Sequence, residues 1–174
     1  MFERMILGVD PGTGALGLAA VSGGSGRPRV HWSETVRTPS GLATAERLRR
    51  IQLAVREAIE VHGPEALALE RLMWGRNIGS AMEVARASGA VMVAAAEAGV
   101  GVHEYAPLEV KMAVTGVGNA TKEQVRKGLS LLLGSAAVPS QPDAADAVAV
   151  AVCHLHQARI RAIGARASAG ARPS

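Results

Sequence analysis

A single α/β domain, built on a mixed five-stranded sheet flanked by helices, is the fold class this sequence predicts. Three observations predict it. Residues 5–37 hold three strand-like segments joined by short turns, which implies an antiparallel meander. Residues 44–105 then alternate helical and strand-like patterns, as expected for helices packed on a sheet. The chain has 174 residues, enough to bury one good core.

The elements follow in order. Met5-Ile6-Leu7-Gly8-Val9, ending in Asp10, reads as a buried strand. Pro11-Gly12-Thr13-Gly14 is a turn, and Leu16 to Val21 returns as a second strand. Ser22 to Pro28 is a Gly-rich hairpin loop. Arg29 to Arg37 alternates as a third strand. From Thr44 to His62 the period is helical, with Leu48, Ile51, Val55, Ile59 and His62 on one face. Gly63-Pro64 stops this helix. Ala66 to Glu70 is a fourth strand. Ser80 to Ala98 is a helix rich in alanine on nearly every side, which suits either a homodimer seam or a helix sandwiched within the domain. Val100 to Tyr105 is the fifth strand. Pro107 fits the first turn of a short helix ending near Gly116. Thr121-Lys122-Glu123-Gln124 is a capping box opening another helix. Pro139 and Pro142 belong to a loop, and Asp143 to Ile163 forms the last helix. Residues 1–163 thus read as one domain, and residues 164–174 as a disordered basic tail.

Composition narrows the function. Hydrophobic residues make up 48% of the chain but aromatics only 2%, so the core is aliphatic. The one cysteine, Cys153, lies in an apolar helical run and reads as a small buried hydrophobe in a reducing, cytoplasmic protein. The N-terminus runs almost directly into a strand, with no signal-peptide pattern. No apolar stretch reaches the length of a membrane span. The formal charge is +4, which favours a nucleic-acid partner modestly.

Against that basic background stand four acids, Asp10, Glu70, Asp143 and Asp146. Two close apolar strands and two open a helix. Asp143 and Asp146 are three residues apart, hence on one helix face. Singly, each has an ordinary explanation: acids cap helix N-termini, and Asp-Pro-Gly is common turn chemistry. Jointly they say more. Open α/β sheets bind ligands at the carboxyl ends of their strands, where Asp10 and Glu70 fall if their strands are parallel neighbours. Four carboxylates without nearby Cys or His favour hard Mg²⁺ or Mn²⁺ over zinc. Two such ions about 3.5–4 Å apart clamp a phosphodiester and activate water for in-line attack. Without metal, at least one of the four should have a raised pKa.

Several segments together resemble the RuvC family of Holliday-junction resolvases. They are Ile6-Leu7-Gly8-Val9-Asp10-Pro11-Gly12-Thr13, Ala68-Leu69-Glu70, Asn77 to Ala96, Glu104-Tyr105-Ala106-Pro107 with Val110-Lys111, Gly116 to Lys122, and Asp143-Ala144-Ala145-Asp146-Ala147. They occur in the family's order and cover about residues 5–157. The resemblance implies an RNase H-like fold in which strands one to three are antiparallel and strands one, four and five parallel. It implies a homodimer that binds a four-way DNA junction and makes paired, metal-dependent nicks in strands of like polarity, in recombination and repair. It implies two Mg²⁺ per site, or Mn²⁺, held by Asp10, Glu70, Asp143 and Asp146 as catalytic acids, and a RuvA–RuvB-type branch-migration partner. Lys111 and Lys122 match family lysines near the DNA. Where the family commonly has an aromatic wedge three positions after the glutamate, this chain has Met73, followed by Trp74. With Arg71, Arg76 and Asn77 these residues suit a DNA-facing loop.

Other signals carry less. Gly116 to Lys122 lacks the Gly-Lys-[Ser/Thr] ending of a phosphate loop. His154 and His156 diverge on a helix, while His31, His62 and His103 are isolated. Arg47-Arg49-Arg50 reads first as a solvated helix face. Two other functions compete with cleavage. One is an actin-like nucleotide binder, for which Asp10-Pro11-Gly12-Thr13 resembles a phosphate loop but the chain is too short. The other is a catalytically silent junction binder, against which the retained acids argue, since clustered carboxylates burden a fold.

Overall fold

In the computed structural model, residues 4–24, 26–72 and 78–170 are described, the last six of them in backbone only. The strands are β1 (Arg4–Asp10), β2 (Ala15–Gly23), β3 (Arg29–Arg37), β4 (Ala66–Glu70) and β5 (Gly101–Tyr105). The helices are α1 (Thr44–His62), α2 (Ile78–Glu97), α3 (Pro107–Thr115), α4 (Lys122–Leu133) and α5 (Pro142–Gly170), with a 3-10 turn at Ser135–Ala137. The sheet order is β3-β2-β1-β4-β5. β1, β2 and β3 pair antiparallel, while β1, β4 and β5 run parallel, which is the predicted mixed sheet.

The alternation of side chains along each strand divides the core in two. Ile6, Ala19, Val21, Ala66 and Ala68 face α5 and pack on Ala145 and on Ala147 to Cys153. Leu7, Val9, Leu16, Leu18, Leu67 and Leu69 face the other way, onto Ile51, Val55 and Ile59 of α1 and Ala87, Val91 and Ala94 of α2. The α5 face is built from small residues, so that helix lies very close to the sheet. An added Cβ on Gly8 would sit 2.1 Å from the carbonyl oxygen of Ala147, and one on Gly17 would sit 2.0 Å from that of Asp143.

Local signals operate as read. Gly63 closes α1 in the left-handed region at φ 53°, its N–H donating to Ile59 O. Thr121 and Gln124 form the reciprocal capping box of α4. Some boundaries differ, two of them for reasons the structure makes plain. β2 continues to Gly23, because Ser22 is buried and Ser22 Oγ hydrogen-bonds His31 Nε2 on β3. α5 continues past Ile163 to Gly170. One glycine in a run of good helix formers costs only about 1 kcal/mol and does not end it. Residues 171–174 lie outside the described residues.

Under the α5 face, His154 is buried, and the Tyr105 hydroxyl hydrogen-bonds its Nδ1 at 2.9 Å. Burial first, then the His103 and Arg161 charges, lowers the His154 pKa to about 4. The folded state therefore holds neutral imidazole. The stability this contributes is complete above the unfolded value near 6.5 and is lost as pH falls through about 4. The thermal midpoint should drop across that window. In His154→Gln the drop should be smaller than in the wild type, by calorimetry at matched pH; equal slopes would contradict this role.

Candidate active site

The parallel register of β1 and β4 pairs Val9 with Leu69, so Asp10 and Glu70 end adjacent strands side by side. Both lie at alternate positions to the residues facing α5, hence on its side of the sheet. Asp10 is itself paired across β2 with Gly17, the glycine whose missing Cβ admits the Asp143 backbone. The first turn of α5 is thereby set down directly beside Asp10. Asp143 and Asp146 come with it, each half-buried. Pro142 suits the first position of the helix, and the N–H of Ala145 donates to Gln141 O.

Asp10 lies in the electrostatic field of the other three carboxylates. Burial, and then the charges of Glu70 and Asp146, push the Asp10 carboxyl up to about 8; Asp143 adds to the rise. Glu70 is also raised, by burial first. Its hydrogen bond with Asp10 and the charges of Lys122 and Lys111 oppose the rise, while Asp146 adds to it. Asp10 and Glu70 thus titrate as a pair that resists losing its last proton. Among the described residues, no three His, Cys, Asp or Glu side chains close into a ready ligand set. Mutual repulsion opposes such closure in like charges. Four acid side chains, with the ionisation of Asp10 and Glu70 penalised, fit hard divalent cations, which would remove that penalty.

Two lysines complete the surroundings. Lys122, first residue of α4, reaches Asp146 Oδ2 at 3.5 Å yet keeps 87% of its side chain exposed. Lys111, on α3, lies near enough to act on Glu70. Arg71 is half exposed, pairs with Glu109 at 3.9 Å, and donates its N–H to Tyr105 O. Met73, Trp74, Arg76 and Asn77 lie outside the described residues. Sequence reasoning missed Gly8 and Gly17, which let α5 approach, and it took His103 and His154 as unrelated although their rings lie 4.8 Å apart. The signal for the glycines was their place in apolar strands, where glycine marks close backbone approach.

A mixed sheet in this order, with acids at two parallel strand ends and a helix start, defines an RNase H-like nuclease. The family model described as crossover junction endodeoxyribonuclease RuvC matches residues 6–154. The RuvC of Moorella thermoacetica is 45% identical over 150 residues, 86% of this chain and 90% of that protein. That of Mycobacterium avium is 44% identical over 165 residues, 94% of this chain and 88% of its own. Among solved structures, T. thermophilus RuvC in complex with Holliday junction substrate superposes with a TM-score of 0.85 at 39% identity, covering 90% of this chain and 96% of that one. The chain belongs to the RuvC family of crossover junction endodeoxyribonucleases. The nucleases of this family are metal-dependent. Neither the actin-like nucleotide binder nor the silent junction binder is favoured by these relationships.

Proposed function

We propose that this chain resolves four-way DNA junctions in recombination and repair, with Asp10, Glu70, Asp143 and Asp146 as the catalytic acids and as the ligands of two Mg²⁺ ions, or of Mn²⁺. The observation that carries this reading is the convergence of four carboxylates from two adjacent strand ends and one helix start. Bound divalent cations supply Lewis-acid stabilisation of the phosphodiester and an activated water. The chain's own residues do the rest. Asp10 and Glu70 would favour their ionised forms with a divalent cation held between them. The α5 backbone, seated on Gly8 and Gly17, fixes Asp143 and Asp146 against β1. Lys111 and the exposed Lys122 bind phosphates beside the cut.

Arg71 and the segment through Asn77 follow Glu70 directly and are read as the DNA-facing loop, with Met73 or Trp74 as the apolar wedge at the junction centre. A homodimer is supported by α2, whose outer face leaves Ile78, Met82 and Val93 largely exposed while its inner face is packed on α1. A dimer places two sites on one junction, as paired nicks require. Residues 1–163 form the nuclease domain in this reading, working in the cytoplasm with a RuvA–RuvB-type motor. Among the described residues no helix is long and apolar enough to cross a membrane.

The test is cleavage of a labelled four-way junction and of linear duplex with Mg²⁺, Mn²⁺ or EDTA. Paired nicks in the junction alone, dependent on metal, are expected. Asp10→Asn and Asp146→Asn should each abolish cutting and leave junction binding in EDTA within about threefold, since phosphate contacts dominate affinity. Persistent cleavage by either variant would remove that acid from the metal site.

A further inference from the structure

Arg47 begins the Arg47-Arg49-Arg50 run that reads as a solvated face, but the structure separates it from its neighbours. Its side chain is only 17% exposed, against 66% for Arg49. Arg47 Nε donates to Thr38 Oγ1 at 3.0 Å, and Nη1 lies 3.8 Å from Glu83 Oε2 on α2. Thr38 is itself buried. Its hydroxyl donates to the Thr13 carbonyl oxygen, and its N–H to that of Gly14. The Thr13 side chain returns to Glu83, and this hydrogen bond is the main reason the Glu83 carboxyl titrates below its ordinary range. Arg86 holds the other Glu83 oxygen at 2.8 Å. The contacts close a ring: Thr13, Thr38, Arg47, Glu83 and back to Thr13. It joins the turn after β1, the segment after β3, the first turn of α1 and the start of α2.

That turn is the one that leaves Asp10, and α2 begins directly after the segment that follows Glu70 and Arg71. We propose that the Arg47–Glu83 pair is a positioning device for the reaction, locking the turn after Asp10 to α1 and α2 so that the acid on β1 keeps its place. The pair is assigned no contact with the scissile phosphate or a metal ion. It acts through Thr13 and Thr38 on the turn that carries Asp10. The inference rests on the assignment of Asp10 as a metal-holding acid.

The test is single-turnover junction cleavage by Arg47→Gln, Glu83→Gln, the double variant and Arg47→Lys, with junction affinity in EDTA and thermal midpoint measured on each. A displacement near 1 Å costs about 100-fold in rate, so each single variant should cleave at least about tenfold more slowly while its affinity changes by less than about threefold. The double variant should be no slower than the worse single one, because both break the same ring. Arg47→Lys keeps the charge toward Glu83 but has no second nitrogen for Thr38, and should recover the rate in part. A simple phosphate contact predicts the opposite pattern: affinity falls with rate, Lys restores both, and Glu83→Gln cleaves normally. That pattern, or wild-type rates in both single variants, would overturn the proposal. Should Arg47→Gln fail to fold, Thr13→Val with Glu83→Gln carries the same test. Asp10→Asn run beside them keeps the two questions apart: if it cleaves, the acid assignment fails whatever the ring variants show.

Discussion

Gly17→Ala should cut junction cleavage by about 100-fold, the loss expected for a displacement near 1 Å at a reacting centre, while the protein still folds and binds the junction. The reason is one atom. The new methyl would lie 2.0 Å from the Asp143 carbonyl oxygen and 2.5 Å from its carbon, so the first turn of α5 must lift off the sheet. Asp143 and Asp146 lift with it, away from Asp10, which is the cross-strand partner of Gly17. Overpacking of this kind costs about 1–3 kcal/mol, which a domain of typical stability survives. The same substitution at Gly8 presses on Ala147 O and Ala151 one turn further along, and should give a similar result with a larger stability loss. The measurements are single-turnover rate, affinity in EDTA and thermal midpoint. A rate within about threefold of wild type would show that α5 tolerates the shift and that close approach at Gly17 does not set the site.

The second large effect concerns charge. Asp10 is raised from 3.8 to about 8, by burial first and then by Glu70 and Asp146. A carboxyl with a raised folded pKa favours folding in its protonated form. Its contribution is complete below the unfolded value near 4 and is lost as pH rises through about 8. In chelator, therefore, this carboxyl should lower the thermal midpoint as pH rises from about 4 to about 8. Asp10→Asn cannot ionise, should largely escape that fall, and should melt higher than the wild type at pH 8.5. One pKa unit is worth about 1.4 kcal/mol, so the gap is on the order of a few kcal/mol, or about 5–10 °C for a domain of this size. Mg²⁺ or Mn²⁺ should raise the wild type toward the variant and move the variant little. Equal midpoints with and without Asp10 at pH 8.5 would mean that the carboxylates relax apart and that the site is not strained.

Much of this was legible in the sequence, for identifiable reasons. Asp10 and Glu70 each interrupt an apolar run at a strand end, and a charge there needs an explanation whatever the fold. Asp143 and Asp146 follow a proline and share a helix face by spacing alone. The capping box of α4 and the glycine stop of α1 depend on neighbours in the chain, so they too could be read. What escaped depends on contacts between distant segments. Nothing around Gly17 says that a helix beginning 125 residues later will fill the space its side chain vacates. Arg47 resembles Arg49 and Arg50 until Thr38 and Glu83 are placed against it. The end of α5 was misplaced because glycine is a weak stop when alanine follows.

The helix that carries Asp143 and Asp146 is also the helix whose next ten positions, Ala144 to Cys153, are mostly sealed in the core. Two of the four acids are therefore anchored by the same burial that holds the molecule together. The ordering cost of that half of the site is met when the chain folds rather than when DNA arrives. Backbone amides at the start of α5 should then exchange with solvent nearly as slowly as those of β1, through global unfolding rather than local fraying. Activity in this enzyme would track the integrity of its interior, and a core substitution far from DNA, such as Val148→Ala, should be felt at the scissile bond.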